Sequence, residues 1–179
     1  MNIYVIQALT GQEEKFLALA KRSLPPEDGN RLIWPRRDLE RLSRGRWFAK
    51  REPLYPGYVF YRADSVDPEN YRAFQSIPGF LRFLMGRENI LPLSQDDLTL
   101  LSHFLAFGEI VPRSQVYFDE NNLIRIVQGP LMGLEGRIIK VNRRKKRAKV
   151  ALSLYAKSFP VDLGFEILEK IPRGGEGPA

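Results

Sequence analysis

The hydrophobic period of this chain changes once, and that change limits what it can fold into. Up to about residue 107, short β-rich runs alternate with segments whose apolar residues recur at helical spacing. From 123 to 171 only short alternating runs remain, LIRIV, GRIIKV, AKVALSLY, FPVDL and FEIL, separated by Gly, Asn and basic turns. The first part reads strand (Ile3–Ala8), helix, strand (RLIWP), basic loop or extended hairpin (RRDLERLSRGRWFAKRE), strand (Tyr58–Arg62), helix, strand (Phe80–Met85), and a further helix ending at Gly108. Thr10 and Glu13 have capping-box spacing, Pro25-Pro26 stops the first helix, Asp67-Pro68 starts the second and Ser94 the third. The order β-α-β-β-α-β predicts an α+β fold with a ferredoxin-like sandwich over 1–107. Residues 108–122 have little periodicity and read as a linker, where protease is expected to cut first. Residues 123–171 predict a small five-stranded β-barrel, and "PRGGEGPA" over 172–179 a disordered tail.

Composition removes several function classes. The 179 residues are 44% hydrophobic and 27% charged, a globular balance. No apolar run reaches the roughly 18 residues of a membrane helix, and no basic, then apolar, leader opens the chain. The absence of cysteine excludes disulfides and thiolate metal sites and fits a reducing compartment. The single histidine, His103, lies in an apolar helical segment and reads as a packing residue, not a relay base or metal ligand. The acid pairs Asp96-Asp97 and Asp119-Glu120 sit at a helix cap and in the expected linker, with no Gly-rich phosphate loop beside them. The expectation is a cytoplasmic, monomeric, non-enzymatic protein without cofactor or metal.

The net charge of +7 points to a polyanionic partner. It is concentrated in "IIKVNRRKKRAKVAL", where Lys140, Arg143, Arg144, Lys145, Lys146, Arg147 and Lys149 occur with no acid between them. The flanking alternation places Arg143–Lys146 at a hairpin tip. Like charges there repel unless an anion is present, and a phosphate backbone supplies one with counterion release. Nucleic-acid contact of low sequence specificity is expected. Arg37, Arg41, Arg44, Arg46, Lys50 and Arg51 form a second, looser basic region.

The stretch "PLYPGYVF" sets aromatics around a Pro-Gly turn. Alternation puts Tyr58 and Phe60 on one face and Val59 and Tyr61 on the other. A sandwich of this kind has helices on one side of its sheet only. Tyr55 and Tyr58 are therefore expected on an open face or its rim, as a partner site.

These motifs together resemble the NusG transcription factors. "IYVIQALTGQEEKF" is similar to the family's opening strand and helix, "PLYPGYVF" to its Phe-Pro-Gly-Tyr-Val segment, and "FQSIPGFLRFLMG" to its helix-to-strand stretch. "VQGPLMGLEGRIIKVN" resembles the KOW motif, with Gly129, Pro130, Gly133 and Gly136 at its spacing. The resemblance covers about residues 3–171. It implies an NGN domain that binds the clamp helices of RNA polymerase, a linker, and a KOW barrel. By position, the polymerase patch would be Tyr55, Pro56, Gly57 and Tyr58, with Ile3 and Tyr4 nearby. The KOW partner loop, which contacts Rho or a ribosomal protein in general members, would be Leu154, Tyr155, Ala156 and Lys157. Here it lacks the family's Phe and Gly, and the opening Trp-Tyr is Ile3-Tyr4. The basic run "NRRKKRAKV" is similar to the specialised LoaP-type antiterminators, which bind RNA through KOW. The alternatives are a housekeeping NusG that modulates pausing and couples to Rho or the ribosome, and an RNA- or ribosome-binding module with no polymerase contact.

Overall fold

A computed structural model of the chain describes residues 1–84 and 89–169. It runs β1 (Asn2–Ala8), α1 (Glu13–Ser23), α2 (Pro26–Gly29), β2 (Leu32–Ile33), β3 (Arg36–Ser43), β4 (Arg46–Pro53), β5 (Tyr58–Ala63), α3 (Pro68–Gln75) and β6 (Phe80–Phe83). There follow α4 (Gln95–Leu105), β7 (Ile110–Val111), β8 (Ser114–Phe118), β9 (Ile124–Gln128), β10 (Ile138–Asn142), β11 (Arg147–Leu154) and β12 (Lys157–Ile167). β2, β5, β1 and β6 form a four-stranded sheet in that order, the antiparallel arrangement of a ferredoxin-like unit. The basic stretch between β2 and β5 is the β3–β4 hairpin. Its two-residue turn puts Arg44 and Gly45 at positive φ, the geometry that matches strand twist.

Local chemistry explains most element ends. Asp67 accepts a hydrogen bond from the Asn70 amide at 2.8 Å, with Pro68 in the first turn of α3. Ser94 caps α4 by accepting from the Asp97 amide at 3.2 Å. The capping box expected at Thr10–Glu13 does not form. α1 begins after Gln12 without a side-chain cap, and the Glu13 carboxylate instead accepts the buried Gly57 amide at 2.7 Å. That bond pins the Tyr55–Tyr58 turn, where the Tyr58 amide donates to the Tyr55 carbonyl at 3.0 Å. Gly57 has φ +83°, and a Cβ there would lie 2.9 Å from the Thr10 hydroxyl, so both backbone and space require glycine.

The two faces of the four-stranded sheet are covered differently. Tyr4, Ile6, Val59 and Tyr61 face α1 and α3 and pack with Phe16, Ala20, Phe74 and Phe83. Val5 and Phe60 face the other way, into a core shared with Leu54, Tyr55, the α4 residues Leu101 and Phe104, and the C-terminal residues Leu152, Val161 and Phe165. The face expected to be open is therefore covered, and Tyr55 is 2% exposed.

The C-terminal half also departs from expectation. Its sheet has five strands in the order β10-β11-β12-β8-β9, curled as a half-barrel, and β9 and β10 do not pair. The runs FPVDL and FEIL are one strand, β12, because Gly164 continues the extended backbone instead of turning. The fifth strand is β8, from the expected linker. Residues 108–122 are not an irregular tether: β7 pairs parallel with β3, and β8 parallel with β12 and antiparallel with β9. Of the strand expected at Phe80–Met85, Phe80–Phe83 forms β6, while Met85 lies outside the described residues. The end of the expected barrel at 171 and the expected tail at 172–179 also lie outside them.

Candidate functional site

The aromatic group around the Pro-Gly turn is the centre of the buried contact between the two halves. The Tyr55 ring meets Phe60 edge-on at 5.1 Å and Phe159 of β12 at 5.8 Å. Burial pushes the Tyr55 hydroxyl above its ordinary pKa, and the charge of Asp97 adds to this. Tyr58 and Ile3 are half-buried against the same core, Gly57 is buried and Pro56 exposed. Tyr4 does not join them. One residue along β1 is the opposite face, so Tyr4 packs on the helix side and its hydroxyl donates to the Asp64 carbonyl at 3.2 Å. Ile3 and Tyr4 thus lie on opposite faces of the sheet.

The β11–β12 turn, Leu154 to Lys157, is docked against α4. Tyr155 and Ala156 occupy positive φ, +49° and +59°, without glycine. Asp97, 4% exposed in the first turn of α4, holds that turn. Its carboxylate accepts the Tyr155 amide at 2.8 Å and the Ser153 hydroxyl at 3.3 Å. The helix N-terminus stabilises the anion that does this. The Tyr155 hydroxyl donates to the Leu91 carbonyl at 2.6 Å, and burial, then Asp97, pushes it up to about 12. Leu154 is buried and Lys157 exposed. Nearby, His103 Nε2 lies 2.8 Å from the Pro130 carbonyl, so the lone histidine bridges α4 and the C-terminal half. Gly129 has φ +106°, and a Cβ there would come 2.7 Å from the Ser114 backbone. Gly133 and Gly136 are exposed, with Gly136 in the 3-10 turn Glu135–Arg137.

The seven cations of the β10–β11 region divide into two groups. Lys146 pairs with Glu40 of β3 at 2.9 Å and lies 4.8 Å over the Trp47 ring of β4. Arg147 donates to the Glu40 carbonyl at 3.1 Å, and Lys149 pairs with Asp162 at 3.2 Å. Arg143 lies 4.5 Å over Phe118. Arg144, Lys145 and Lys140 point to solvent without an acidic partner among the described residues. Glu40 also holds Arg113 at 2.7 Å. Burial raises the Glu40 pKa, but the bonds to Lys146 and Arg113 outweigh it and hold the carboxyl below its usual range. Arg37, counted among the basic surface residues, is 8% exposed. It donates to the Asp162 carbonyl at 2.7 Å and to Glu52 at 3.0 Å, so it joins the halves instead of facing a partner. The joining roles of the Glu40 and Asp97 carboxylates had no local signal in the sequence, because Asp97's partners lie 56 and 58 residues away and Glu40's Lys146 lies 106 away; Asp162's partners lie across a strand pair.

Residues 1–102 match the family model described as transcription termination factor nusG. The chain belongs to the NusG family. Curated relatives agree across nearly the whole length. The transcription termination/antitermination protein NusG of Thermus thermophilus is 29% identical, covering 93% of this chain and 97% of that one. NusG of Neisseria meningitidis is 25% identical, covering 94% and 97%. Among solved structures, one of Thermotoga maritima NusG, which concerns domain interaction in that protein, matches with a TM-score of 0.53 at 19% identity. The match covers 91% of this chain and 93% of that one, a likeness of fold. The chain is a NusG-type transcription factor, and no helix among its described residues is long and apolar enough to cross a membrane.

Proposed function

We propose that this chain is an elongation and antitermination factor that grips RNA polymerase with the β1–β5 sheet face and nucleic acid with the β10–β11 turn, and that the arrangement described is its closed form. Separable units of roughly 1–107 and 114–169 belong to this reading. The observation that carries it is the cover on the Tyr55–Phe60 face. An apolar sheet face is sealed by a distant part of the chain through contacts that mix aliphatic packing with Asp97–Tyr155, Arg37–Asp162 and Lys146–Glu40 bonds. Interfaces of this polar character resemble those between domains that move. The same contact covers Ile3, Tyr55 and Tyr58 as well as Leu154 and Tyr155. Polymerase and any partner of the second unit would then both require opening. The exposed Arg144 and Lys145 support the nucleic-acid half of the reading.

The test is transcription by purified bacterial polymerase on a template carrying a terminator, with and without the full chain, alongside polymerase binding. Wild type should change read-through, and Asp97→Ala should bind polymerase several-fold more tightly than wild type. Identical read-through with and without the chain, together with no polymerase binding by either form, overturns the reading.

A further inference from the structure

Between the β3–β4 hairpin and the β10–β11 turn lies a cleft of about 770 Å³. Arg41, Trp47 and Lys50 line one wall, and Asn142, Arg144 and Lys145 the other. Its two acids are already engaged, Glu40 by Lys146 and Arg113 and Glu52 by Arg37 and Lys50. Arg41, Arg144 and Lys145 are left without an acidic partner among the described residues, and Arg44 and Arg46 continue the charge onto the hairpin tip. One large ring lies among these cations: Trp47 is 41% exposed with Lys146 over its ring, while Phe48, 53% exposed, sits outside the cleft at the hairpin tip. Unpaired cations beside an exposed aromatic are the makeup of a single-strand platform, where phosphates meet charge and bases stack on rings.

We propose that this cleft binds single-stranded RNA, with the hairpin's Arg41 and Trp47 acting together with Arg144 and Lys145 of the turn. The proposal rests on the nucleic-acid half of the reading above and extends it to a second element, β3–β4, and to the docked form. Glu40 holds the two walls side by side through Lys146 and Arg147, with the Arg37–Asp162 bond beside it. A cleft of this size takes a few splayed nucleotides and no duplex. Stacking on Trp47, instead of base-edge hydrogen bonding, makes the site tolerant of sequence. The free factor is thus the form that holds RNA on two walls.

Binding of a fluorescein-labelled ten-nucleotide oligouridylate to the full chain tests this by anisotropy. Trp47→Ala should weaken binding about fivefold or more. Arg41→Glu should flatten the log–log salt slope by about 0.7, one single-strand phosphate contact, and Arg144→Glu with Lys145→Glu by about 1.4, two such contacts. Trp34, the other of the two tryptophans, is 6% exposed, so quenching by unlabelled RNA reports Trp47. That quenching should be lost in the Arg144/Lys145 variant, which links the two walls. Thermal unfolding confirms that these exposed variants fold. Hairpin variants that bind like wild type while the Arg144/Lys145 variant fails overturn the two-walled cleft and leave the turn as the RNA contact. A preference for the matching duplex, or equal competition by polyglutamate, overturns it in favour of another ligand. No RNA binding by wild type overturns it together with the nucleic-acid half of the functional reading, whatever polymerase binding shows.

Discussion

The two faces of the β1–β5 sheet carry similar side chains and are closed by different means. On one, Phe74 and Phe83 meet Tyr61 at 5.0 and 6.2 Å beneath helices joined to the sheet by short connections. Polar groups there bond within the same half: the Tyr61 hydroxyl donates to Asp28 at 2.6 Å, and the buried Glu13 carboxylate accepts the Gly57 amide at 2.7 Å. On the other, Tyr55 and Phe60 meet a sheet far along the chain, and buried polar groups hold the joint: Asp97 beneath the Tyr155 turn and Arg37 against Asp162. An apolar contact sealed by neighbouring elements opens only with the fold. The other contact adds a few charged hydrogen bonds to its apolar packing and joins elements far apart in the chain. Burial alone does not distinguish a permanent core from a cover.

The comparison is broken most severely on the helix side. Phe74→Ala should lower the unfolding free energy by about 3–5 kcal/mol, as large-to-small core changes do, with loss of the first unit's cooperative melt. A milder loss there would mean that this core is no more permanent than the other. Tyr55→Ala should cost about 3 kcal/mol, because the ring contacts both Phe60 and Phe159. Calorimetry that finds less than about 1 kcal/mol would show that Tyr55 packs on the second unit only loosely.

Asp97→Ala acts on the joint alone and leaves the Tyr155 amide without its acceptor, a loss of about 1–3 kcal/mol. Hydrogen exchange should quicken at the β11–β12 turn while amides around Phe74 keep their protection. Uniform quickening would erase the distinction between the two faces. Ala156→Gly should tighten the joint by up to about 1 kcal/mol, since φ +59° strains alanine and not glycine. The same exchange measurement would then slow at Tyr155.

The smallest effect is that of pH. The Glu40 carboxyl is held below its ordinary 4.5 in the docked form, so its contribution is complete above that value and fades as pH falls through the lowered one. The joint should loosen in acid below about pH 4.5, and Glu40→Gln should remove that part of the profile. An unchanged acid limb in the variant would assign the loosening to other carboxylates. Proteolysis sharpens the picture further. With β7 and β8 paired into sheets, the first cut should fall at the exposed Arg44-Gly45 tip and not within 109–122.

Much of this was legible in the residues. The period change, the β-α-β-β-α-β order, the Asp67-Pro68 and Ser94 starts and the Pro-Gly turn are local signals, readable within a few residues. The opposite facing of Tyr58 and Tyr61 follows from alternation alone. The same rule already separated Ile3 from Tyr4, although resemblance placed both in one patch. Resemblance reports where a family's residues lie, and the pleat decides which way they point.

What the sequence determined by itself was the set of elements, the turn chemistry and the places where charge gathers, because each depends on neighbours along the chain. Tertiary structure alone decided three things. It made strands of Ile110–Val111 and Ser114–Phe118 within 108–122, with partners β3 and β12 far off in sequence. It laid a second sheet over Tyr55 and Phe60. It also divided the basic residues into those that join the halves, such as Arg37 and Lys146, and those without an acidic partner among the described residues, such as Arg41 and Arg144. The physical reason is the same in each case. A strand edge, an apolar face and a cation all have unmet capacity, and the sequence shows the capacity but not the distant group that meets it.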